Sequence, residues 1–138
     1  MTENTWAAIQ QLLATYTWSH DSRDFEALAK CFTEDAEYTM RIADGAVSGP
    51  TIGGPAIAGL VRTFKETQTD QRRHLITNAV VDELGGDSAT VRSYVTVFAT
   101  EGETSRLVTT GTCVDTVARQ ADGAWRFTRK AMHLDKGF

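Results

Sequence analysis

The chain has 138 residues, a length that fits one domain able to bury most of its apolar surface. An apolar fraction of 41% and a charged fraction of 23% match ordinary globular proteins and argue against disorder or coiled coil. The net charge is −4 and no run of Lys or Arg exceeds the pair Arg72–Arg73, so the basic patch that nucleic-acid binding requires is missing. Apolar runs are only a few residues long, far short of the roughly 20 needed to span a membrane. Met1 leads into Thr2, Glu3 and Asn4, with neither a basic nor an apolar leader segment, and a cytoplasmic protein is expected.

Two helical patterns open the chain. Trp6, Ile9, Leu13, Tyr16, Thr17 and His20 recur at three- and four-residue steps, the spacing of one helical face. After the polar break Asp21-Ser22-Arg23-Asp24, a second helix is predicted through Phe25, Leu28, Ala29 and Phe32, capped by Asp24. Glu34-Asp35 is read as its close, followed by a strand over Glu37–Ile42 with Tyr38, Met40 and Ile42 on one face. Asp44-Gly45 predicts a hairpin returning through Val47 to about Ile52.

Pro55 then suits the first turn of a third helix, with Ile57, Leu60, Val61 and Phe64 as its buried stripe. The remainder reads as strands: His74–Asp82, Ala89–Ala99, Arg106 to about Ala118, and Ala124–Leu134. They are separated by turns at Gly85-Gly86-Asp87, Glu101–Glu103 and Asp122-Gly123. Meandering strands imply an antiparallel sheet, and helices gathered in the first half imply an α+β class. A curved sheet of about six strands, closed on one face by three helices, leaves a concave apolar pocket in a single domain over residues 1–138.

Cys31 and Cys113 stand in unrelated patterns and read as reduced core residues. His20, His74 and His133 show no metal-ligand spacing to one another or to cysteine, and no phosphate-binding glycine loop or nucleophile elbow is present. Neither metal nor cofactor is expected.

Asp21 ends the first helical stripe. It is either a turn or capping residue or, if that stripe faces the sheet, a carboxylate at the cavity. His74 begins a strand whose alternate positions are Ile76, Asn78 and Val80, and a lone His on an apolar strand face is commonly structural. A carboxylate in reach changes its chemistry: an Asp on one ring nitrogen fixes the tautomer, raises the basicity of the other nitrogen and stabilises the imidazolium. Polar residues able to surround a substrate are Tyr16, Tyr38, Asn78, Tyr94, Thr112 and Lys130. Each has a plain structural alternative: core aromatics with a wet hydroxyl for the tyrosines, a snorkelling side chain for Lys130.

The stretch Asp21-Ser22-Arg23-Asp24-Phe25-Glu26-Ala27-Leu28, with Phe32-Thr33-Glu34-Asp35-Ala36-Glu37-Tyr38 after it, resembles the start of the polyketide-cyclase-like (SnoaL-like) domains of the nuclear transport factor two superfamily. Arg73-His74-Leu75-Ile76-Thr77-Asn78 is similar to the histidine-bearing strand of the scytalone dehydratase and hexachlorocyclohexane dehydrochlorinase branch, and Asp122-Gly123-Ala124-Trp125-Arg126-Phe127 to its final hairpin. The resemblance implies a cone-shaped fold and a dyad of Asp21 and His74, with His74 taking a proton during β-elimination. It also implies a cation near the leaving group at Lys130 and an aromatic pocket wall at Tyr38.

Tyr16 stands where the dehydrochlorinase has a lysine. His20 and Met40 stand where the dehydratase has tyrosines, Ser93 replaces its second pocket histidine, and its long C-terminal lid has no counterpart beyond Phe138. The resemblance therefore implies the dyad but not the substrate. The expected function is a cofactor-independent lyase for a small hydrophobic molecule, with His74 and Asp21 catalytic and Tyr16, Tyr38, Met40, Asn78 and Lys130 at the substrate. The alternatives are an isomerase or cyclase of a polycyclic or polyketide-type ketone, or a non-catalytic binding or assembly module. A homotrimer or homodimer is expected, with no nucleic-acid or membrane partner.

Overall fold

A computed structural model of the protein describes residues 2–138. Helix α1 runs over Glu3–Asp21 and is capped by the Thr2 hydroxyl, which accepts from the Thr5 N–H. Its inner face carries Ile9, Leu12, Leu13, Tyr16, Thr17 and His20, while Trp6, expected in the stripe, is 41% exposed. Helix α2 spans Phe25–Lys30, and the Asp24 carboxylate caps it by accepting from the Ala27 N–H. The helix stops at Cys31, and strand β1 (Phe32–Ile42) begins at once, so Glu34 and Asp35 lie inside the strand and do not mark its boundary.

Strand β2 follows at Ser48–Ile52, then helix α3 at Gly54–Glu66. Two glycines set the docking of α3. Gly53 adopts φ +88°, open to glycine at little cost, and a Cβ on Gly54 would run into the Ala29 carbonyl of α2. Strands β3 (Gln71–Gly85), β4 (Ser88–Glu101), β5 (Thr104–Arg119) and β6 (Trp125–Leu134) complete the chain. Among the described residues no helix is long and apolar enough to cross a membrane.

The six strands form one curved, unclosed sheet in the order β2-β1-β6-β5-β4-β3. The class is α+β as expected, but the sheet is not wholly antiparallel, because β1 lies parallel to β6. The reason is the crossover through α3: a helical connection frees the β1–β2 hairpin from the alternation that tight turns impose on β3 to β6. Bulges interrupt the pairing of β3 with β4 between Thr77 and Val80, of β4 with β5 at Val97/Phe98, and of β5 with β6 at Thr116/Val117. Each adds a local bend and extra twist, which curls the sheet around its contents.

One core cluster joins Ile9, Leu13 and Tyr16 of α1, Leu28 of α2, and Ile57 and Val61 of α3 to Phe32, Val91, Val117 and Phe127 of the sheet. A second joins Val95, Val97, Ala99, Val108, Cys113, Met132 and Leu134, with Met40 and Ile76 touching both.

Candidate active site

Asp21 is the last residue of α1 and His74 the fourth of β3, and the fold brings them together. Asp21 Oδ2 accepts from the His74 backbone N–H at 2.8 Å, and Oδ1 meets the His74 Nδ1 at 2.5 Å. A carboxylate oxygen accepts, so the contact places a ring proton of His74 on Nδ1, toward Asp21. The Gln71 side-chain amide donates to the Asp21 carbonyl at 2.9 Å and ties the helix end to the same strand. Both side chains are largely buried, at 13% exposure for His74 and 10% for Asp21.

His74 lines a cavity between helices and sheet with His20, Tyr38, Met40, Phe64, Gln68, Arg72, Val97, Met132, Leu134 and Phe138. Its free space is about 30 Å³, room for a water molecule or two. Asp21 lines an outer groove with Trp18, Gln71, Arg73 and Leu75, and His74 borders both that groove and the cavity. Asp21 itself is not among the residues of the cavity wall.

Of the substrate positions expected from the sequence, Tyr38 and Met40 line this cavity; Tyr16, Asn78 and Lys130 do not. Asn78 adopts φ +57° at the bulge of β3, which shifts the alternation by one residue. Ile76, Ala79 and Val81 therefore pack on the core, and Asn78 and Val80 face a groove with Arg92, Tyr94 and Thr112. Tyr16 is a core residue, its ring edge-on to Phe32, Phe127 and His20.

Lys130 neither snorkels nor reaches the cavity. It is 1% exposed, and its ammonium donates to both oxygens of the fully buried Asp115 at 3.0 and 2.9 Å. The same Nζ lies 4.5 Å from the centre of the Tyr16 ring and 4.4 Å from that of Phe127. Burial alone would lower the Lys130 pKa, but Asp115, Cys113 and Tyr38 together hold it above the usual lysine range. Burial raises Asp115, with Lys130 opposing the shift. Burial likewise raises both phenols, Tyr16 and Tyr38, well above the usual range, so each stays neutral.

The helical periodicity puts His20 on the inner stripe of α1 and gives it no role. Its ring is 4.1 Å from that of His74, and its buried Nδ1 has no hydrogen-bond partner among the described residues. Burial, reinforced by His74 and Lys65, pushes its pKa well below the usual histidine value. Lys65, itself buried, is lowered by that burial to about 8, with Asp21 opposing. His20, Asp21 and His74 offer ligand atoms within 4.8 Å of one another, a spacing that can suit a metal. Each Asp21 oxygen already accepts from an N–H of His74, a use that competes with metal coordination and suits proton transfer.

Also unforeseen were Phe64 and Phe138. Their rings meet edge-on at 5.1 Å and both line the cavity. The segment after β6 is tied down by the Thr110 hydroxyl donating to Asp135 Oδ2 at 2.6 Å and the Thr109 hydroxyl donating to the Lys136 carbonyl at 2.9 Å.

With this geometry in view, the chain compares with known proteins as follows. An NTF2-like protein with a cystatin-like fold from Novosphingobium aromaticivorans is 30% identical, with TM-score 0.78 over 96% of this chain and 82% of that one. A protein from Catenulispora acidiphila, solved in complex with S-DNPA, is 26% identical, with TM-score 0.82 over 96% and 95%. ActVI-ORFA of Streptomyces coelicolor shares the fold at 22% identity, with TM-score 0.80 over 95% and 98%. No curated protein matches in sequence. The family model described as "SnoaL-like domain" matches residues 4–131, and the chain belongs to that family.

Proposed function

We propose that the chain is a cofactor-independent lyase for a small hydrophobic substrate, with His74 as base and Asp21 as its positioning partner. The observation that carries this reading is the double grip of Asp21 on His74, at 2.8 and 2.5 Å, beside an otherwise mostly apolar cavity. Nε2 takes a proton from the carbon next to a carbonyl, and the C–H electron pair forms an enolate. The enolate then collapses to a C=C bond as the β-carbon–oxygen bond breaks. The departing hydroxide recovers the proton from Nε2 and leaves as water. Asp21 stabilises the imidazolium between those steps, a general-base contribution of about 10²–10⁴-fold. Tyr38, neutral and on the cavity wall, and Met40 shape the apolar side.

A suitable probe is 3-hydroxy-1-tetralone, whose dehydration gives fluorescent 1-naphthol after tautomerisation. Naphthol formed by the wild type and not by His74→Ala supports the lyase. Exchange of the α-hydrogens in deuterated water without naphthol would move the chain to the isomerase or cyclase alternative. With neither process, the reading as a non-catalytic binding or assembly module is favoured.

Self-association is part of the same reading. Leu75, Tyr94, Phe98, Leu107 and Val114 are all exposed, and the strand register sets them on the outer face of β3, β4 and β5. Exposed apolar side chains of this kind, interleaved with Arg73, Arg92, Thr96 and Thr112, suit a contact surface, here for a second copy. Sedimentation of the wild type as a dimer or trimer, and of Tyr94→Arg as a monomer, is the expected result.

A further inference from the structure

Helix α3 ends on a charge that nothing in contact with it balances. Ile57, Val61 and Lys65 follow one another at four-residue steps on its buried face, and Lys65 is only 3% exposed. Among the described residues its ammonium has no hydrogen bond and no carboxylate within ion-pair distance. A lysine in the last turn of a helix complements the dipole from the surface, so burial is not needed for that. The carbonyls of Lys65 and Gln68 are in any case taken by the Arg23 guanidinium, at 3.3 and 3.0 Å. An enclosed ammonium without a contact partner is costly, and lysine is seldom fully buried unless paired.

Asp21 presents the matching problem. Its side chain is 10% exposed, and its one ion-pair partner among the described residues is the His74 imidazole, which is uncharged whenever it is ready to accept a proton. Two side chains tie the ends of α1 and α3 to the start of β3. Arg23, two residues after Asp21, clamps the end of α3, and the Gln71 amide donates to the Asp21 carbonyl at 2.9 Å. Burial opposes the charge of Lys65 most strongly, Asp21 favours it, Arg23 and Arg72 oppose it, and Asp70 adds a smaller favourable influence. Asp70 is committed to Arg72 and Arg106, and Arg23 to the α3 carbonyls. Lys65 and Asp21 are left as the two buried charges that answer each other.

We propose that Lys65 is a positioning residue of the dyad: its buried ammonium keeps the Asp21–His74 pair free of a proton, so that the base is vacant when substrate arrives. This deepens the lyase reading and rests on it for turnover, but the coupling of Lys65 to Asp21 is measurable without substrate. A positive charge beside a titratable site disfavours every proton added to it. The field of Lys65 therefore opposes a proton on Asp21 and on the pair as a whole, and at His20 it adds to burial and His74 in the same sense. An aspartate raises the proton affinity of the histidine it holds, which on its own would fill the base near neutral pH. Lys65 offsets that gain and brings the pair toward the working pH, where general-base catalysis is most effective. It lies outside the cavity wall, so it acts through Asp21 and not on the substrate.

The amine itself is the first probe. In an NMR titration with ¹³Cε-labelled lysine, Lys65 should ionise at about pH 8 in the wild type, and lower by about half a pH unit or more in Asp21→Asn, where the favouring carboxylate is gone. The turnover test follows α-proton exchange of 2-tetralone across roughly pH 5 to 9 in the wild type, Lys65→Met and Lys65→Arg. Lys65→Met should move the acid limb of kcat upward by about one pH unit, so that exchange in the acid range drops roughly tenfold with KM little changed. Lys65→Arg, whose guanidinium stays charged, should keep the acid limb of the wild type. A merely structural lysine would lower the whole profile without shifting it. An unmoved acid limb in folded Lys65→Met, or the same Lys65 titration in the wild type and Asp21→Asn, would overturn the proposal. Should neither Lys65 variant fold, the pair of NMR titrations decides alone. A wild type that shows the Lys65–Asp21 coupling but exchanges no 2-tetralone would instead overturn the base chemistry and leave the charge coupling standing.

Discussion

His20 and His74 stand with ring centroids 4.1 Å apart, yet only one of them rests on a carboxylate. Asp21 takes two N–H groups of His74, whereas His20 keeps a buried nitrogen without a partner. Two identical side chains in one cavity are thereby given different surroundings, one paired with a carboxylate and one left without a partner. Their sequence positions do not show this difference; the end of α1 and the start of β3 create it.

The neutral state of His20 has a signature in stability. Its folded pKa lies well below its unfolded value near 6.5, because burial, His74 and Lys65 oppose its charge. As pH falls through 6.5 the unfolded chain takes up a proton that the folded chain refuses, so stability drops as the solution is acidified. Above 6.5 both states are neutral and the effect vanishes. Relative to His20→Leu, the wild type should lose about 1.4 kcal/mol per pH unit below that point. Urea unfolding of both proteins at pH 7.5, 6 and 5 checks this, and parallel pH curves would contradict it.

Lys130 and Asp115 make a separable prediction, because their pair lies away from the cavity. Removing one partner strands a buried charge, so Lys130→Met or Asp115→Leu alone should cost about 3–5 kcal/mol. The double substitution should recover at least half of that loss. Denaturant melts of the three variants decide it. A double variant as unstable as the sum of the singles would show that the pair is not acting as a unit.

Phe138 packs against Phe64 on the wall of a cavity with only about 30 Å³ of free space, so admitting a bicyclic ligand requires wall side chains such as this one to move. Phe138→Ala should speed association of 2-naphthol several-fold in stopped-flow fluorescence. An unchanged rate would place the entry path elsewhere.

Much of this was legible from the residues. Helical periodicity found α1, α2 and α3, and turn chemistry at Gly85-Gly86-Asp87 and Asp122-Gly123 divided the strands close to where they break. Asp21 and His74 were named as a pair because one carboxylate and one imidazole at those positions fit the family's dyad, and they do converge. What failed did so where alternation is broken. Asn78 was assigned to the inner face by counting in twos, and a bulge at that residue reverses the count. Lys130 was read as a solvent or substrate cation because Asp115 went unnoticed. The signal was there: a carboxylate alternating with Cys113 and Val117 on a buried face demands a cation opposite, and the register puts Lys130 directly across from it. The parallel pairing of β1 with β6 depends on a crossover spanning most of the chain, which no local pattern encodes.

The proposed chemistry requires His74 to act as a base oriented by Asp21. Exchange of the α-protons of 2-tetralone in deuterated water, followed by proton NMR for the wild type, His74→Ala and Asp21→Asn, tests this most directly. Catalysed exchange is expected in the wild type, none above background in His74→Ala, and a loss of about 10²–10⁴-fold in Asp21→Asn, whose amide no longer enforces the Nδ1–H tautomer. Near-normal exchange in either folded variant would contradict it.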